Sequence, residues 1–214
     1  HETGHEWFGN SITSKDIADM WIHEGFTTYT ETVFIECVKG YDEAIKYVNG
    51  QSRSVRNDRP VIAQFGVNKE GSGDMYYKGA LMLNTIRHII NDDAKWWKLL
   101  YNYSETYKKQ IIDTKTVIDY FNKESGLDLT SVFNQYLTTT KIPKLVLSKT
   151  GNKLSYEWQN VNTDFKMPVD IVINEKTIRL HPTTSKQETK IDKKIKLENI
   201  QVKTNQFFIK VEKK

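Results

Sequence analysis

Hydrophobic side chains recur every three or four residues through roughly the first 140 positions, the spacing that places them on one face of an α-helix. Capping residues such as Ser14 or Asp16, Gly40 and Asp92 divide this part of the chain into short segments. The predicted helices cover residues 1–8, 16–39, 42–55, 76–90, 92–103, 114–121 and 131–137. Short amphipathic helices with short links predict a layer of packed helices over residues 1–140.

The pattern changes after Lys141-Ile142-Pro143, where hydrophobic residues begin to alternate with polar ones. Turn-forming residues such as Gly151 and Asn152 separate the alternating runs. The predicted strands are residues 144–148, 154–158, 169–173, 177–180, 194–197 and 207–211. Several short strands joined by turns predict a small antiparallel β-sandwich over residues 141–214, and therefore an α+β multidomain fold.

The first five residues, His1-Glu2-Thr3-Gly4-His5, form an H-E-x-x-H motif. In a helix, positions i and i+4 share a face, so His1 and His5 can hold one metal ion. Glu24 lies on the next predicted helix and can supply a third ligand, which leaves the fourth position open, as in a catalytic zinc site. Glu2 projects to one side, where it can act as a general base on a water molecule at the metal.

Two more residues lie close to the motif in sequence. Asp19 is a candidate partner for the outer N–H group of a zinc-bound imidazole, and the alternative is a solvent-facing residue at the start of a helix. His23 adjoins Glu24 but points about 100° away around the helix, so we predict a structural role for it.

The composition excludes several classes of partner. The 31 basic and 27 acidic residues are well mixed, and the lysines gathered after Lys186 are not interleaved with aromatic residues, so no nucleic-acid partner is predicted. No hydrophobic run approaches the roughly 18 residues of a membrane span. Cys37 is the only cysteine, which excludes an intrachain disulfide and is compatible with a cytoplasmic or a periplasmic location.

Three sequence blocks extend the metal motif. They are His1-Glu2-x-x-His5-x-Trp7-Phe8-Gly9-Asn10, Trp21-Ile22-His23-Glu24-Gly25-Phe26-x-x-Tyr29-x-Glu31 and Tyr76-Tyr77-Lys78-Gly79-Ala80. Together they resemble the signature of the gluzincin zinc aminopeptidases, the family of aminopeptidase N and leukotriene hydrolase. The resemblance implies the helical half of a thermolysin-like catalytic domain followed by a β domain, peptide substrates and a zinc ion on His1, His5 and Glu24. It also implies that Tyr76 stabilises the oxyanion, with Tyr77 as the rival candidate.

Two parts of the family pattern do not occur in this sequence. The family reads the free amine of its peptide with a Gly-x-Met-x-Asn loop, and it builds the first half of the catalytic domain upstream of the zinc motif. We therefore expect the chain to be a fragment of a longer enzyme whose missing N-terminal part is its partner. Alone, the fragment should expose apolar groups such as Trp7 and Phe8, show weak activity or none, and bind zinc weakly or not at all.

The sequence favours a zinc aminopeptidase that removes N-terminal residues from peptides. A zinc endopeptidase or an epoxide-hydrolysing relative would use the same ligands, and the amine-recognition loop would separate them. A non-catalytic binding module that uses the β domain is an alternative of another class. The presence of Glu2 and Tyr76 argues against that module, because packing alone gives no reason for a general base and an oxyanion donor beside a metal site.

Overall fold

Six α-helices build the first of two parts of the chain in the computed structural model, which describes all 214 residues. This part runs from His1 to Thr140, and the second part runs from Lys141 to Lys214. The helices are α1 (Trp21–Lys39), α2 (Tyr41–Gly50), α3 (Tyr77–Ile90), α4 (Asp93–Tyr107), α5 (Thr114–Ser125) and α6 (Thr130–Thr138). None of these helices has the length and apolar character that crossing a bilayer requires.

Local capping explains where several of these helices begin and end. Asp92 and Asp113 precede α4 and α5, and each side chain accepts a hydrogen bond from a backbone N–H three residues later. Asn91 and Gly126 follow α3 and α5 in the left-handed conformation, with φ of 53° and 69°. Helix α4 begins one residue after its predicted start at Asp92, and α5 begins at the predicted Thr114, although Asp113 was not predicted as its cap.

The predicted α-helix over residues 1–8 does not form. This segment consists of turns and one 3-10 helix, Gly4–Glu6, before Phe8 pairs with Ile12 in a short bridge. Gly9 lies at φ +135°, a conformation that ends any helix.

A small parallel sheet lies within the otherwise helical part of the chain. Strand β1 (Ile12–Ser14) pairs with β2 (Gln110–Ile112), and Thr13 lies opposite Ile111. The hydrophobic pattern predicts only helices in this region, because three residues are too few to establish an alternating pattern. The sheet fixes the segment before α1 against the segment that joins α4 to α5.

Helices α1 and α3 touch each other through their backbones at two glycines. A Cβ atom added to Gly79 would lie 2.9 Å from the Cα of Gly25, and one added to Gly25 would lie 3.1 Å from the carbonyl oxygen of Met75. Any side chain at Gly79 would therefore force the helices apart. This contact brings the first turn of α1 beside the first turn of α3.

Stacked and edge-on aromatic rings fill the core beneath α1. The Phe26 ring stacks on Tyr103 with 4.9 Å between centroids, and Trp21 and Phe133 extend the cluster. All four of these side chains are at most 1% exposed. Large aromatic groups supply much buried apolar area per residue, which compensates for a hydrophobic share of only 38%.

The second part of the chain contains two sheets. One sheet has the order β7-β4-β3-β9 and the other has the order β6-β5-β8. Their strands are β3 (Lys144–Thr150), β4 (Lys153–Gln159), β5 (Val169–Ile173), β6 (Lys176–Leu180), β7 (Gln187–Lys190), β8 (Gln201–Val202) and β9 (Lys210–Lys213). The Trp158 side chain is buried, and its indole N–H donates a hydrogen bond to the Met167 carbonyl over 3.0 Å.

Two details of the predicted β domain are wrong. Strand β9 runs parallel to β3, with Lys144 opposite Lys210, so the sheets are not antiparallel throughout. Residues 194–197 form no strand, because the Asp192 side chain accepts from the Lys194 N–H and its carbonyl accepts from the Ile195 N–H, which closes a turn. The strands β7 and β8 lie on either side of that turn.

The contact at Gly79 gives a direct test of the helix packing. Gly79→Ala should destabilise the chain by about 1–3 kcal/mol, because its methyl group meets backbone that cannot move aside. Gly50→Ala is the matched control, since Gly50 has φ of −57° and nothing within 4 Å of an added Cβ. Urea unfolding of both variants would measure the difference, and equal midpoints would contradict the proposed backbone contact.

Candidate metal centre

Three potential metal ligands from two segments lie together at the surface of the helical part. His1 and His5 come from the turns that precede β1, and Glu24 comes from the first turn of α1. The ligand atoms of the three residues all lie within 4.8 Å of one another. Glu24 is 8% exposed, whereas the two imidazoles keep about a quarter of their surface open to solvent.

The two distances from the Glu24 oxygen to the imidazole nitrogens match the spacing of ligands around a tetrahedral zinc ion. Nε2 of His1 lies 3.3 Å from Oε2 of Glu24, and Nε2 of His5 lies 3.5 Å from the same oxygen. Zinc holds nitrogen and oxygen ligands at roughly 2.0–2.2 Å, which places neighbouring tetrahedral ligands roughly 3.3–3.6 Å apart. Two imidazole nitrogens and one carboxylate oxygen at this spacing suit zinc and leave room for a fourth ligand.

The motif reaches this geometry without an α-helix. Gly4 lies so close to α1 that an added Cβ would be 2.6 Å from Oγ1 of Thr30 and 3.0 Å from Cγ2 of Thr27. The turn between His1 and His5 is thereby pressed onto the helix that carries Glu24. The two imidazole rings meet edge to face, with 4.9 Å between centroids.

Each imidazole is oriented by a hydrogen bond at its other nitrogen. Nδ1 of His1 lies 2.7 Å from Oε1 of Glu31 on α1, and the Tyr47 hydroxyl of α2 donates to the second Glu31 oxygen. Nδ1 of His5 lies 2.9 Å from the Phe8 carbonyl oxygen, which requires the tautomer protonated at Nδ1. Both arrangements leave Nε2 directed toward Glu24, as metal-ligating histidines require.

Glu31 belongs to the second signature block, but no role was predicted for it, although its position carries a signal. It lies seven residues after Glu24, and two turns of α-helix return a residue to the same face. A second carboxylate on the face of the third ligand is therefore a candidate for orienting one of the histidines.

Asp19 occupies a different place from the predicted one. Its carboxylate is fully buried and accepts hydrogen bonds from the backbone N–H of Thr114 at 2.9 Å and from the Thr114 hydroxyl at 2.6 Å. These bonds hold the start of α5, and Glu31 and Phe8 instead contact the histidines. His23 is structural as predicted, since its Nε2 accepts from the Ser14 N–H over 2.7 Å.

Tyr76 immediately precedes α3 and faces the metal ligands. Its ring centroid lies 5.9 Å from that of His1. Burial raises the pKa of Tyr76, and the negative charge of Glu24 raises it further. The phenol therefore stays protonated through the neutral range and can donate a hydrogen bond. Tyr77, the rival candidate, lies in the first turn of α3 and is 39% exposed.

The loop before Tyr76 is fixed by buried polar contacts. The Asp74 carboxylate, which is 1% exposed, accepts from the backbone N–H groups of Arg56 at 2.8 Å and Asn57 at 2.6 Å. A Cβ added to Gly71 would lie 1.7 Å from the Val61 carbonyl oxygen, so only glycine fits there. These contacts set the position from which Tyr76 faces the ligands.

Glu2 is an exposed neighbour of the same group. The negative charge of Glu2 helps to raise the pKa of Tyr76. Burial is the largest cause that raises the pKa of Glu24; the charge of Glu2 raises it further, and His5 lowers it. The Glu2 carboxylate thus acts electrostatically on both residues. Two imidazoles, the buried Glu24 carboxylate and a protonated phenol therefore lie together, and Glu2 is near enough for its charge to act on the last two groups.

Comparison with known proteins identifies the family. The peptidase family M1 domain matches residues 1–136, and the chain therefore belongs to that family. It is 24% identical to probable aminopeptidase 2 of Sulfurisphaera tokodaii over 97% of the chain and 29% of that protein. It is 25% identical to aminopeptidase B of Rattus norvegicus over 67% of the chain and 25% of that protein.

A solved structure shows the same fold. Aminopeptidase A of Legionella pneumophila, in complex with aspartic acid, superposes on 99% of the chain with a TM-score of 0.74 and 14% sequence identity. The chain covers 26% of that structure, and it spans less than a third of the length of the curated relatives described above. The α+β fold is therefore that of an aminopeptidase segment.

The Glu31–His1 contact predicts a graded effect on metal affinity. Glu31→Leu should weaken zinc binding about 10–100-fold, because His1 loses the acceptor that orients its ring. Glu31→Gln keeps an acceptor oxygen and should lose less. Competition with a chelator of known affinity, in the whole protein that carries this chain, would measure both. Glu43→Gln on the exposed surface of α2 is the control, and equal affinities in all variants would contradict the orienting role.

Proposed function

We propose that the protein carrying this chain is a zinc-dependent aminopeptidase that hydrolyses the N-terminal residue from peptides. The observation that carries the proposal is the spacing of His1, His5 and Glu24, whose nitrogen and oxygen atoms suit one zinc ion beside Tyr76. The relatives named above, which are aminopeptidases, support the choice of reaction.

His1, His5 and Glu24 would hold the zinc ion. Zinc bound to such a set supplies a Lewis acid that makes water nucleophilic near neutral pH and polarises the scissile carbonyl. Glu31 lies at hydrogen-bond distance from Nδ1 of His1, and the Phe8 carbonyl accepts a hydrogen bond from Nδ1 of His5. These contacts would keep both imidazoles oriented with Nε2 free to bind the metal.

Glu2 would act as the general base. Its carboxylate is exposed to solvent and lies next to His1 in the chain, so it can take the proton of the attacking water. The same carboxyl group then passes that proton to the leaving amine, which completes hydrolysis of the peptide bond.

Tyr76 would stabilise the oxyanion. Its raised pKa keeps the hydroxyl protonated where a peptide carbonyl becomes tetrahedral, and a protonated phenol can donate to the developing negative charge. The nearby charges of Glu24 and Glu70 favour the neutral phenol as well. This donor contributes in the transition state rather than to ground-state binding.

Substrate choice tests the proposed reaction. The whole protein should release the first residue from aminoacyl-anilides and from peptides with a free amine. Peptides with an acetylated N-terminus should resist it, since an exopeptidase needs the amine. Glu2→Gln should keep stoichiometric zinc and lose turnover by about 100-fold or more, which ties the activity to this site. Release from blocked peptides alone would replace the proposal with an endopeptidase.

A pair of tyrosine variants tests the oxyanion role. Tyr76→Phe should lower kcat about 100–1000-fold with little change in KM, because it removes a donor used in the transition state. Tyr77→Phe removes a neighbouring and more exposed hydroxyl and should leave kcat within a few-fold of the parent. The opposite pattern would assign the oxyanion contact to Tyr77.

A further inference from the structure

A cavity of about 500 Å³ opens beside the proposed metal ligands, and most of the residues that line it have no part in the proposed chemistry. It shares His1, Glu31 and Tyr76 with the site described above. Its remaining walls come from α1, α2, the 3-10 helix Gln51–Ser54 and the start of α3, and they are Thr28, Lys46, Tyr47, Gly50, Gln51, Ser54 and Tyr77. This volume lies within the range of small-ligand cavities and accommodates one long side chain of a peptide.

The charged groups of the cavity are already paired within the chain. Glu31 contacts the His1 ring and accepts from the Tyr47 hydroxyl. The Lys46 ammonium lies 2.7 Å from the Glu43 carboxylate and projects into solvent. A charged ligand would therefore lose its hydration without finding a free opposite charge, which disfavours it.

Two buried polar atoms in the same walls have no hydrogen-bond partner. They are the Thr28 hydroxyl oxygen and Oε1 of Gln51, and the two residues are 1% and 8% exposed. Such atoms are uncommon in folded proteins, because each one loses its hydration without compensation. Both side chains can turn about their own bonds and present these atoms to a ligand in the cavity.

We propose that this cavity recognises an uncharged, hydrogen-bonding side chain of the peptide substrate, with a carboxamide as the preferred group. Gln51 also hydrogen-bonds the Tyr47 side chain, but its unpaired Oε1 can accept from such an amide, and Thr28 can donate or accept at its edge. Tyr47 and Tyr77 cover the hydrocarbon stem of the ligand, and Ser54 lies at the wall near them. The inference rests on the proposed function, since it assigns a preference to the same site.

Peptide binding measures the preference without relying on turnover. Two tripeptide panels with free amines would carry glutamine, methionine or glutamate at the first or at the second position. Binding to the zinc-loaded Glu2→Gln form of the whole protein would be followed by calorimetry. In one of the panels, the glutamine peptide should bind about tenfold more tightly than the methionine and glutamate peptides. Equal or tighter binding of methionine or glutamate in both panels would overturn the proposal.

Substitutions of Gln51 and Thr28 test whether these two cavity residues cause the preference for glutamine. Gln51→Leu and the nearly isosteric Thr28→Val, each combined with Glu2→Gln, should reduce the preference for glutamine about three- to tenfold and leave zinc affinity unchanged. Gln110→Leu is the control, because Gln110 is exposed on β2 and does not line the cavity. A preference that persists in both wall variants would also overturn the proposal. If the Glu2→Gln form binds the glutamine peptides selectively but the parent protein does not hydrolyse them, the proposed aminopeptidase activity would be refuted. The proposed preference of the cavity would then still stand.

Discussion

The backbone contact between Gly25 and Gly79 sets the geometry on which the candidate site depends. Glu24 precedes one glycine in α1, and Tyr76 lies three residues before the other at the start of α3. Because the helices approach until an added Cβ would lie 2.9 Å from opposing backbone, the carboxylate and the phenol fall on one side of the crossing. Packing that excludes even a methyl group therefore also limits the distance between Glu24, the proposed metal ligand, and Tyr76, the proposed oxyanion donor.

The sequence predicts most of the helical part because its signals are local. A side-chain cap such as Asp92 and the apolar face of α3 can be recognised at single positions or over short spacings. The sequence does not predict β1 and β2, or the parallel pairing of β9 with β3, since these depend on partners far along the chain. Long-range pairing is decided by packing, which a single sequence does not display.

The proposed metal ligands follow from residue chemistry, but the helix predicted for two of them does not form. His1 and His5 were assigned to one helical face, whereas turns and the contact of Gly4 with α1 bring them together. Asp19 shows the converse, because its proximity in sequence suggested a role that burial against Thr114 does not support.

Glu31 links the orientation of the metal ligands to the wall of the neighbouring cavity. One of its oxygens faces Nδ1 of His1, and the other accepts from Tyr47, whose side chain also lines the cavity. A ligand that displaces Tyr47 would change the partner of this carboxylate, and with it the restraint on His1. In the proposed site, side-chain recognition and metal geometry would be coupled through the two oxygens of Glu31. Tyr47 on α2 would then act on the proposed metal site through Glu31 of α1.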